Sequence, residues 1–451
     1  MQSSMRIRVS VLLVIIGVVL AVAASLISVS SSTIQANGVI IDYGDYDTLW
    51  TEADVSDYDS VYDLMDYACT YNSISYVTDE DGSISELGGK ASSETESWGA
   101  WGIKSGSTSW IRIESMKDAD PSDYAVISIS YTSGEEEPTV AVDYSGNSIY
   151  GYARKYRSVS LSPTITEILA SIKADATLVG VDYYSDYPQS VVQGVSDGSI
   201  TVTGTYTSPN YETILGTNPD IVFCDGSQRS HYLMADTLRG QNIDSVVLYP
   251  GSDLDSVRDN IFIAGKVMQY DMASAEVIDN MDNVISALKD KIDAPEKRTM
   301  SVMVTLDPAV SPWVSGTDTY INSILEEFGA INSYGDQTGW VHINGETIGS
   351  RNPQVIIVIT SEYGATQSEY DYMYRHLADQ WKSTDAWKNG RVYMICEGAA
   401  EMVQRFGPRT AQTSELICRM VNPECFTEDM PLFVGDNYAD YLTYSKGMNY
   451  D

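Results

Sequence analysis

From Arg157 to near the end of the chain, short apolar runs alternate with amphipathic stretches, and this alternation constrains the fold more than any other feature. Residues 158–161, 178–181, 220–224 and 245–248 read as strands, and residues 164–172, 210–215 and 232–239 as helices between them. Ser162 and Pro163 supply a cap and a first helical residue for the first of these helices. A helical stretch runs from Leu254 to about Lys291, with apolar Val257, Ile261, Ala264, Val267 and Met268, no proline, and Gly265 as its only glycine. A second helical pattern, at 275–288, makes the stretch too long for one crossover. Pro295 breaks the chain, and a second series begins: strands at 301–306, 355–359 and 392–395, helices at 320–328 and 370–380, and a closing helix at 409–421. The expected fold is α/β, with two lobes, each a parallel sheet flanked by helices, joined by a long rigid helix, and a cleft between them.

The amino-terminal part differs in character. Arg6 and Arg8 precede an apolar run from Val9 to about Val29. About twenty such residues span a bilayer as a helix, and the basic flank would stay inside. The alternative is a signal peptide with Ala21-Val22-Ala23 as its cleavage site; the continuation of the apolar run past that site favours the anchor. No cysteine follows the run, which excludes a bacterial lipoprotein anchor. Residues 34–150 are expected as a small α+β domain. In it, residues 60–70 have helical spacing (Val61, Leu64, Met65 and Ala68), residues 73–77, 109–113 and 125–131 are strand-like, and Gly88-Gly89 and residues 99–106 supply turns. Residues 134–138 end that domain, with a short exposed connection to about 152. The expected organisation is therefore 1–33 anchor or signal peptide, 34–150 small domain, 151–251 first lobe, 252–294 inter-lobe helix, 295–426 second lobe and 427–451 an acidic, tyrosine-rich tail.

Composition removes several function classes. Lys and Arg number 27 against 63 Asp and Glu, a net charge of −36 that repels phosphate backbones and argues against nucleic acid. The three histidines, His231, His342 and His376, and the five cysteines, with no Cys-x-x-Cys pair, are thin material for a catalytic or metal centre. Cys418 and Cys425 are near enough in sequence to bridge, and free thiols are the other reading. Tyrosine (32) far outnumbers phenylalanine (6), which suits wet, two-faced surfaces such as ligand clefts.

Five segments carry a family resemblance: "RSVSLSPTITEILASIKADATLVGVDYYSDYP" from Arg157, "SPNYETILGTNPDIVFCDG" from Ser208, "WVSGTDTYINSILEEFGAIN" from Trp313, "WVHINGETIGSRNPQVIIV" from Trp340 and "FGPRTAQTSELICRMVNPE" from Phe406. In order and in register to about Phe426, they resemble the iron-siderophore/cobalamin periplasmic-binding family. The resemblance implies an extracytoplasmic, membrane-anchored or periplasmic substrate-binding protein of an ABC importer. Such a protein is no enzyme, needs no cofactor, and is expected as a monomer. It would capture cobalamin, another corrinoid or a ferric siderophore and deliver it to a permease dimer with separate ATPase subunits. The chain holds no Gly-x-x-x-x-Gly-Lys-Ser/Thr loop of its own. More faintly, "YDSVYDLMDYAC", "GSISELGG", "WGAWGIKSGSTSW" and "DYAVISISY" are similar to the small domain shared with the carboxyl-terminal part of transcobalamin; its usual Trp-x-x-x-Val-Asn-Gly run is only loosely matched by residues 101–110.

In the family, one glutamate on each lobe docks against permease arginines. The matching positions are Glu212 and Glu346, each seven residues before a proline (Pro219 and Pro353) that leads into a strand. The bland reading is two exposed helix-start carboxylates. Loops at the carboxyl ends of parallel strands would face the ligand. They carry Ser162, Pro163, Thr164, Tyr183, Tyr184, Tyr187, Tyr206, Asp225 and Arg229 on the first lobe, and Trp313, Trp340, Glu397, Glu401 and Arg405 on the second. Aromatic rings can stack on a chelate plane, and arginine can pair with an anionic one. No direct metal coordination is expected. The rival readings are haem as the ligand, a ligand-binding surface sensor without transport, and an enzyme on a two-lobed scaffold such as a chelatase.

Overall fold

A computed structural model describes residues 36, 38–44, 47–104, 107, 109–133, 138, 141–149, 155–292 and 300–448. It divides into two units, one within Met1–Ile41 and Thr51–Pro138, the other within Asp42–Trp50 and Thr139–Asp451. The expected anchor or signal segment and the break at Pro295 lie outside the described residues. Among the described residues, no helix is long and apolar enough to cross a membrane.

The chain begins with β1 (Gly38–Gly44), β2 (Asp47–Glu52), α1 (Val61–Tyr71), β3 (Tyr76–Thr78), β4 (Ile84–Leu87), β5 (Lys90–Ala91), β6 (Glu96–Lys104), β7 (Ile111–Ile113) and β8 (Tyr124–Ser133). The strands form a five-stranded sheet in the order β2-β1-β8-β6-β7 and a three-stranded sheet β3-β4-β5. Ser60 caps α1 by accepting from Asp63 N at 3.1 Å, and the expected face, Val61, Leu64, Met65 and Ala68, is buried. One expectation fails here. Residues 99–104 are not a turn but the second half of β6. The glycine has a packing reason: a Cβ on Gly102 would lie 2.3 Å from the Tyr124 ring, so the strand needs glycine where the aromatic crosses it.

The first lobe comprises, after a short hairpin of β9 (Ala141–Val142) and β10 (Ser148–Ile149), β11 (Ser158–Ser160), α2 (Pro163–Ser171), β12 (Leu178–Val181), α3 (Gln189–Asp197), β13 (Thr201–Val202), β14 (Gly204–Thr205), β15 (Ser208–Pro209), α4 (Tyr211–Gly216), β16 (Ile221–Asp225), α5 (Arg229–Arg239) and β17 (Asp244–Leu248). Its sheet, β13-β12-β11-β16-β17, is parallel throughout. The hairpin is more than the exposed connection expected. Buried Asp143 accepts from Arg239 at 2.9 Å and from Val247 N at 3.0 Å, which pins residues 141–149 to the edge strand β17.

Between the lobes run α6 (Leu254–Met268) and α7 (Asp271–Ile292), so the connection is a packed pair of helices rather than one rod. Gln269 adopts a left-handed conformation (φ 60°) and ends α6. Gly265 lets the helices meet closely, because a Cβ there would lie 2.1 Å from Ser274 Oγ. The second lobe follows with β18 (Met300–Thr305), β19 (Trp313–Ser315), α8 (Tyr320–Glu327), β20 (Ala330–Asn332), β21 (Trp340–His342), α9 (Glu346–Arg351), β22 (Val355–Ile359), α10 (Gln367–His376), α11 (Asp379–Lys382), α12 (Asp385–Lys388), β23 (Val392–Ile395), α13 (Glu397–Gln404), α14 (Thr410–Val421) and β24 (Phe433–Val434). The sheet order is β21-β19-β18-β22-β23-β24, with β20 also paired to β18; β19 pairs antiparallel with both β18 and β21, and the other pairings are parallel. One buried cluster runs through both lobes and the two connecting helices, including Ile168, Phe223, Ile261, Ile285, Val304 and Ile417.

Residues 427–448 do not hang free as a tail. β24 extends the sheet, and Glu415, buried on α14, accepts from the backbone N–H groups of Thr443 (2.6 Å), Tyr444 (3.0 Å) and Ser445 (2.8 Å) while pairing with Arg419 at 3.1 Å. Removing one partner of a buried pair costs about 3–5 kcal/mol. Glu415→Ala should therefore lower the unfolding free energy by an amount in that range and open the segment after residue 427 to limited proteolysis, read by a urea melt and a time course of cleavage.

Candidate functional site

Loops at the carboxyl ends of parallel strands are where an α/β sheet presents side chains to a ligand. Here those ends are tied together by a buried ion network. Glu167, on α2 of the first lobe, has no solvent exposure (0%). Its Oε1 accepts from Arg405 Nη1 at 2.8 Å and Arg409 Nη2 at 2.6 Å, and its Oε2 from Arg409 Nε at 2.7 Å. Both arginines belong to the second lobe, at the turn between α13 and α14. Burial works against each guanidinium charge, but Glu167, together with Asp186 beside Arg405 and Tyr438 beside Arg409, outweighs it and holds both arginines above their ordinary value. Arg405 reaches further into the first lobe, to Asp186 at 2.7 Å and the Tyr184 carbonyl at 3.2 Å. Arg409 lies over the Tyr187 ring, 4.3 Å from its centroid.

Two of the expected ligand residues are engaged within the protein. Arg405 pairs with Glu167 at 2.8 Å and with Asp186 at 2.7 Å. Asp225 is 2% exposed, and its carboxylate is filled by Ser162 Oγ (3.1 Å), Ser227 N (2.9 Å) and Ser227 Oγ (2.7 Å). Ser162 thus uses its hydroxyl on Asp225 and makes no side-chain cap for α2. Next to it, the Asp225 N–H donates to His231 Nδ1 at 2.9 Å, and His231 Nε2 contacts the Tyr206 carbonyl at 2.7 Å. Accepting at one nitrogen and donating at the other makes His231 a neutral imidazole. Burial holds its pKa below the ordinary value.

The other expected residues divide by exposure. Tyr183 (69%) and Tyr184 (53%) project after β12 with rings edge to face, 5.2 Å apart. Trp313 (46%) opens β19 on the other lobe, 5.7 Å from the His342 ring. Trp340, on the paired strand β21, packs instead against the core. Tyr206 is half-buried; its hydroxyl lies 2.6 Å from Ser227 Oγ, and burial pushes its phenol up to about 12. Pro163 and Thr164 open α2, half-buried and buried. Arg229 is exposed at the first position of α5. Glu401, exposed on α13, has its carboxyl raised by partial burial and by Asp186 from the other lobe. Glu397 accepts from Ala365 N at 3.1 Å and Asp436 N at 3.3 Å. Among the described residues, no group of three or more His, Cys, Asp or Glu is arranged to hold a metal ion.

Glu212 and Glu346 occupy matching places. Each is exposed in the first turn of a six-residue helix, α4 or α9. Each helix is followed by an asparagine in the left-handed region (Asn218, φ 50°; Asn352, φ 47°), then by a proline and a fully buried central strand, β16 or β22. Asparagine tolerates that conformation, and proline then stops the helix.

Reading the chain by itself singled out neither Glu167 nor Arg409. The available signal was that α2 is buried at every position from Thr164 to Ser171, which leaves an acid there in need of a cationic partner. Glu167→Gln should lose about 3–5 kcal/mol of unfolding free energy by leaving the buried Arg409 without its carboxylate partner and Arg405 to rely on Asp186, measured by denaturant titration. For His231, the depressed folded pKa means that its contribution to stability is complete above the unfolded value of about 6.5 and is lost as the pH falls below it. The stability gap between the wild type and His231→Gln should therefore narrow between about pH 7 and pH 5.

The comparisons with known proteins fit this architecture. The family model described as periplasmic binding protein matches residues 159–397, just over half of the chain and parts of both lobes. An uncharacterized ABC transporter substrate-binding lipoprotein of Bacillus subtilis, YvrC, is 26% identical over 274 residues, covering 60% of this chain and 81% of its own length. A vitamin B12-binding protein of Yersinia pestis is 23% identical over 217 residues, covering 48% of this chain and 71% of its own length. Among solved structures, a periplasmic heme-binding protein of Pseudomonas aeruginosa matches with a TM-score of 0.51 at 18% identity, covering 62% of this chain and 96% of that one. A possible iron-binding (periplasmic solute-binding) protein of Staphylococcus epidermidis matches with a TM-score of 0.50 at 23% identity, covering 60% and 99%. The structural likeness speaks for the two-lobed α/β fold, and the matched residues assign the family. This chain belongs to the periplasmic binding protein family.

Proposed function

We propose that the protein is the extracytoplasmic substrate-binding component of an ABC importer, capturing a metal chelate between its lobes and delivering it to a permease. The observation that carries this reading is the placement of exposed aromatic rings, Tyr183 and Tyr184 on one lobe and Trp313 on the other, at the edges held in register by Glu167. Such rings bind the flat face of a large ligand, and a connection of two packed helices permits only limited hinge motion. The Yersinia pestis relative's name supports cobalamin or another corrinoid, and the Staphylococcus epidermidis and Pseudomonas aeruginosa structures' titles keep a ferric chelate and heme in view. A surface sensor that binds the same ligand without transport is the second reading.

In the importer reading, Glu212 and Glu346 dock on permease arginines, the first thirty-three residues hold the protein at the membrane, and the amino-terminal domain is the transcobalamin-like module. Its parts act as a binding protein, working as a monomer with a permease dimer and separate ATPase subunits. Absorbance and mass spectrometry of ligand co-purified from a native source identify the chelate, since a corrin spectrum, a heme Soret band and a ferric charge-transfer band are distinct. For docking, Glu212→Ala and Glu346→Ala should each weaken the permease complex by roughly tenfold or more, and the double variant should abolish uptake with ligand affinity unchanged. Lost ligand affinity in the double variant would move the two glutamates out of the docking role.

A further inference from the structure

The charge balance at the strand ends decides which kind of chelate the cleft accepts. Arg405 and Arg409, the cations nearest the seam between the lobes, are spent on Glu167 and Asp186. An anionic ligand could recruit them only by breaking a buried network in which Glu167 is fully enclosed. Beyond them, Arg229 at the start of α5 is the exposed cation on these loops, against Asp307 after β18, Glu362 after β22, and Glu397 and Glu401 at and after the start of α13. The acids are not all idle. Asp307 accepts from Ala309 N at 2.8 Å and Glu397 from two backbone N–H groups, but those contacts leave their charges in place. Glu401 is a second-lobe carboxylate at the seam, 3.9 Å from Arg405, which follows its helix, and beside Asp186 of the other lobe. The exposed surface around them is aromatic, through Tyr183, Tyr184 and Trp313. A net charge of −36 over the whole chain adds a long-range field of the same sign.

Resting on the chelate-binding reading above, we infer that the cleft is built for an uncharged or cationic chelate that brings its own hydrogen-bond donors, with Glu401 as the specificity-determining acceptor, and that it rejects polyanionic chelates. Aromatic faces supply contact area without charge, and carboxylates reward donor groups such as primary amides or ammonium. A like-charge ligand meets repulsion that, among the described residues, no cation at the seam outside the Glu167 network relieves. Within the chelates this fold could hold, that favours amide-bearing corrinoids and neutral or cationic ferric hydroxamates over ferric tris-catecholates and heme with its two propionates.

The test is a set of tryptophan-fluorescence and calorimetric titrations of the intact protein with cyanocobalamin, a cationic ferric hydroxamate, hemin and a trianionic ferric tris-catecholate. The expected result is that cyanocobalamin or the hydroxamate binds about 100-fold or more tighter than the tris-catecholate. Whatever binding the trianion shows should strengthen as salt is added, because screening weakens repulsion. Glu401→Lys, checked for an unchanged melting profile, should narrow the gap by roughly tenfold or more through gain for the trianion and loss for the neutral chelate. Tris-catecholate binding equal to or tighter than the neutral and cationic chelates in the wild type overturns the inference and leaves the chelate-binding reading intact. No binding of any of the four overturns the chelate-binding reading and the inference with it.

Discussion

Glu167 has no access to water and faces two guanidinium groups from the opposite lobe, and the arrangement of the second unit depends on that contact. A carboxylate this deeply enclosed carries a desolvation cost of several kcal/mol, so it persists only where geometry and hydrogen bonding are close to ideal. Three contacts of 2.6–2.8 Å from two arginines meet that condition. Apolar packing between lobes tolerates sliding, whereas a carboxylate held on both oxygens does not. The network therefore fixes the register in which the two sets of strand ends face each other, while the shared core through α6 and α7 supplies most of the cohesion. Tyr187, beneath Arg409, and the Tyr184 carbonyl, bonded to Arg405, draw the loop after β12 into the same network. Exposed Tyr183 and Tyr184 are thus carried by a loop anchored at its far side.

The lobes were legible in the sequence because their central strands are buried on both faces. Leu178–Val181, Val355–Ile359 and Val392–Ile395 lie where their apolar runs place them, and a buried parallel strand has no competing pattern. The amino-terminal domain was less legible, since its strands carry glycines for reasons of packing. The glycines of β6 read as turn residues, yet Gly102 is there because the Tyr124 ring occupies the space of its side chain. In the inter-lobe connection the second helical pattern at 275–288 was legible, but the left-handed Gln269 that divides α6 from α7 was not.

The candidate site was only partly legible for a different reason. Exposure is a property of the folded loop, so Tyr183 and Asp225 look alike as polar residues after a strand, yet one is 69% exposed and the other 2%. What separates them is local hydrogen bonding. Asp225 sits where Ser162, Ser227 and the backbone of its own turn converge, and those donors come from two different loops. Arg405 poses the same problem over a longer range, because its partner Glu167 lies 238 residues away in the chain. A pattern read along the chain finds residues that repeat at a fixed spacing, such as Glu212 and Glu346, and misses pairs joined only by the closing of the fold.

A network that must satisfy a buried acid takes up two arginines of the second lobe, Arg405 and Arg409, so fixing the lobes also sets the charge left at the seam. A binding protein for anions would need further cations there, placed after β18, β22 or β23; this chain places Asp307, Glu362 and Glu397 at those positions. Rigidity and ligand charge are therefore not independent choices in this molecule. Freeing Arg405 for an anionic ligand would leave the buried Glu167 to Arg409 alone and would also break the Arg405–Asp186 pair.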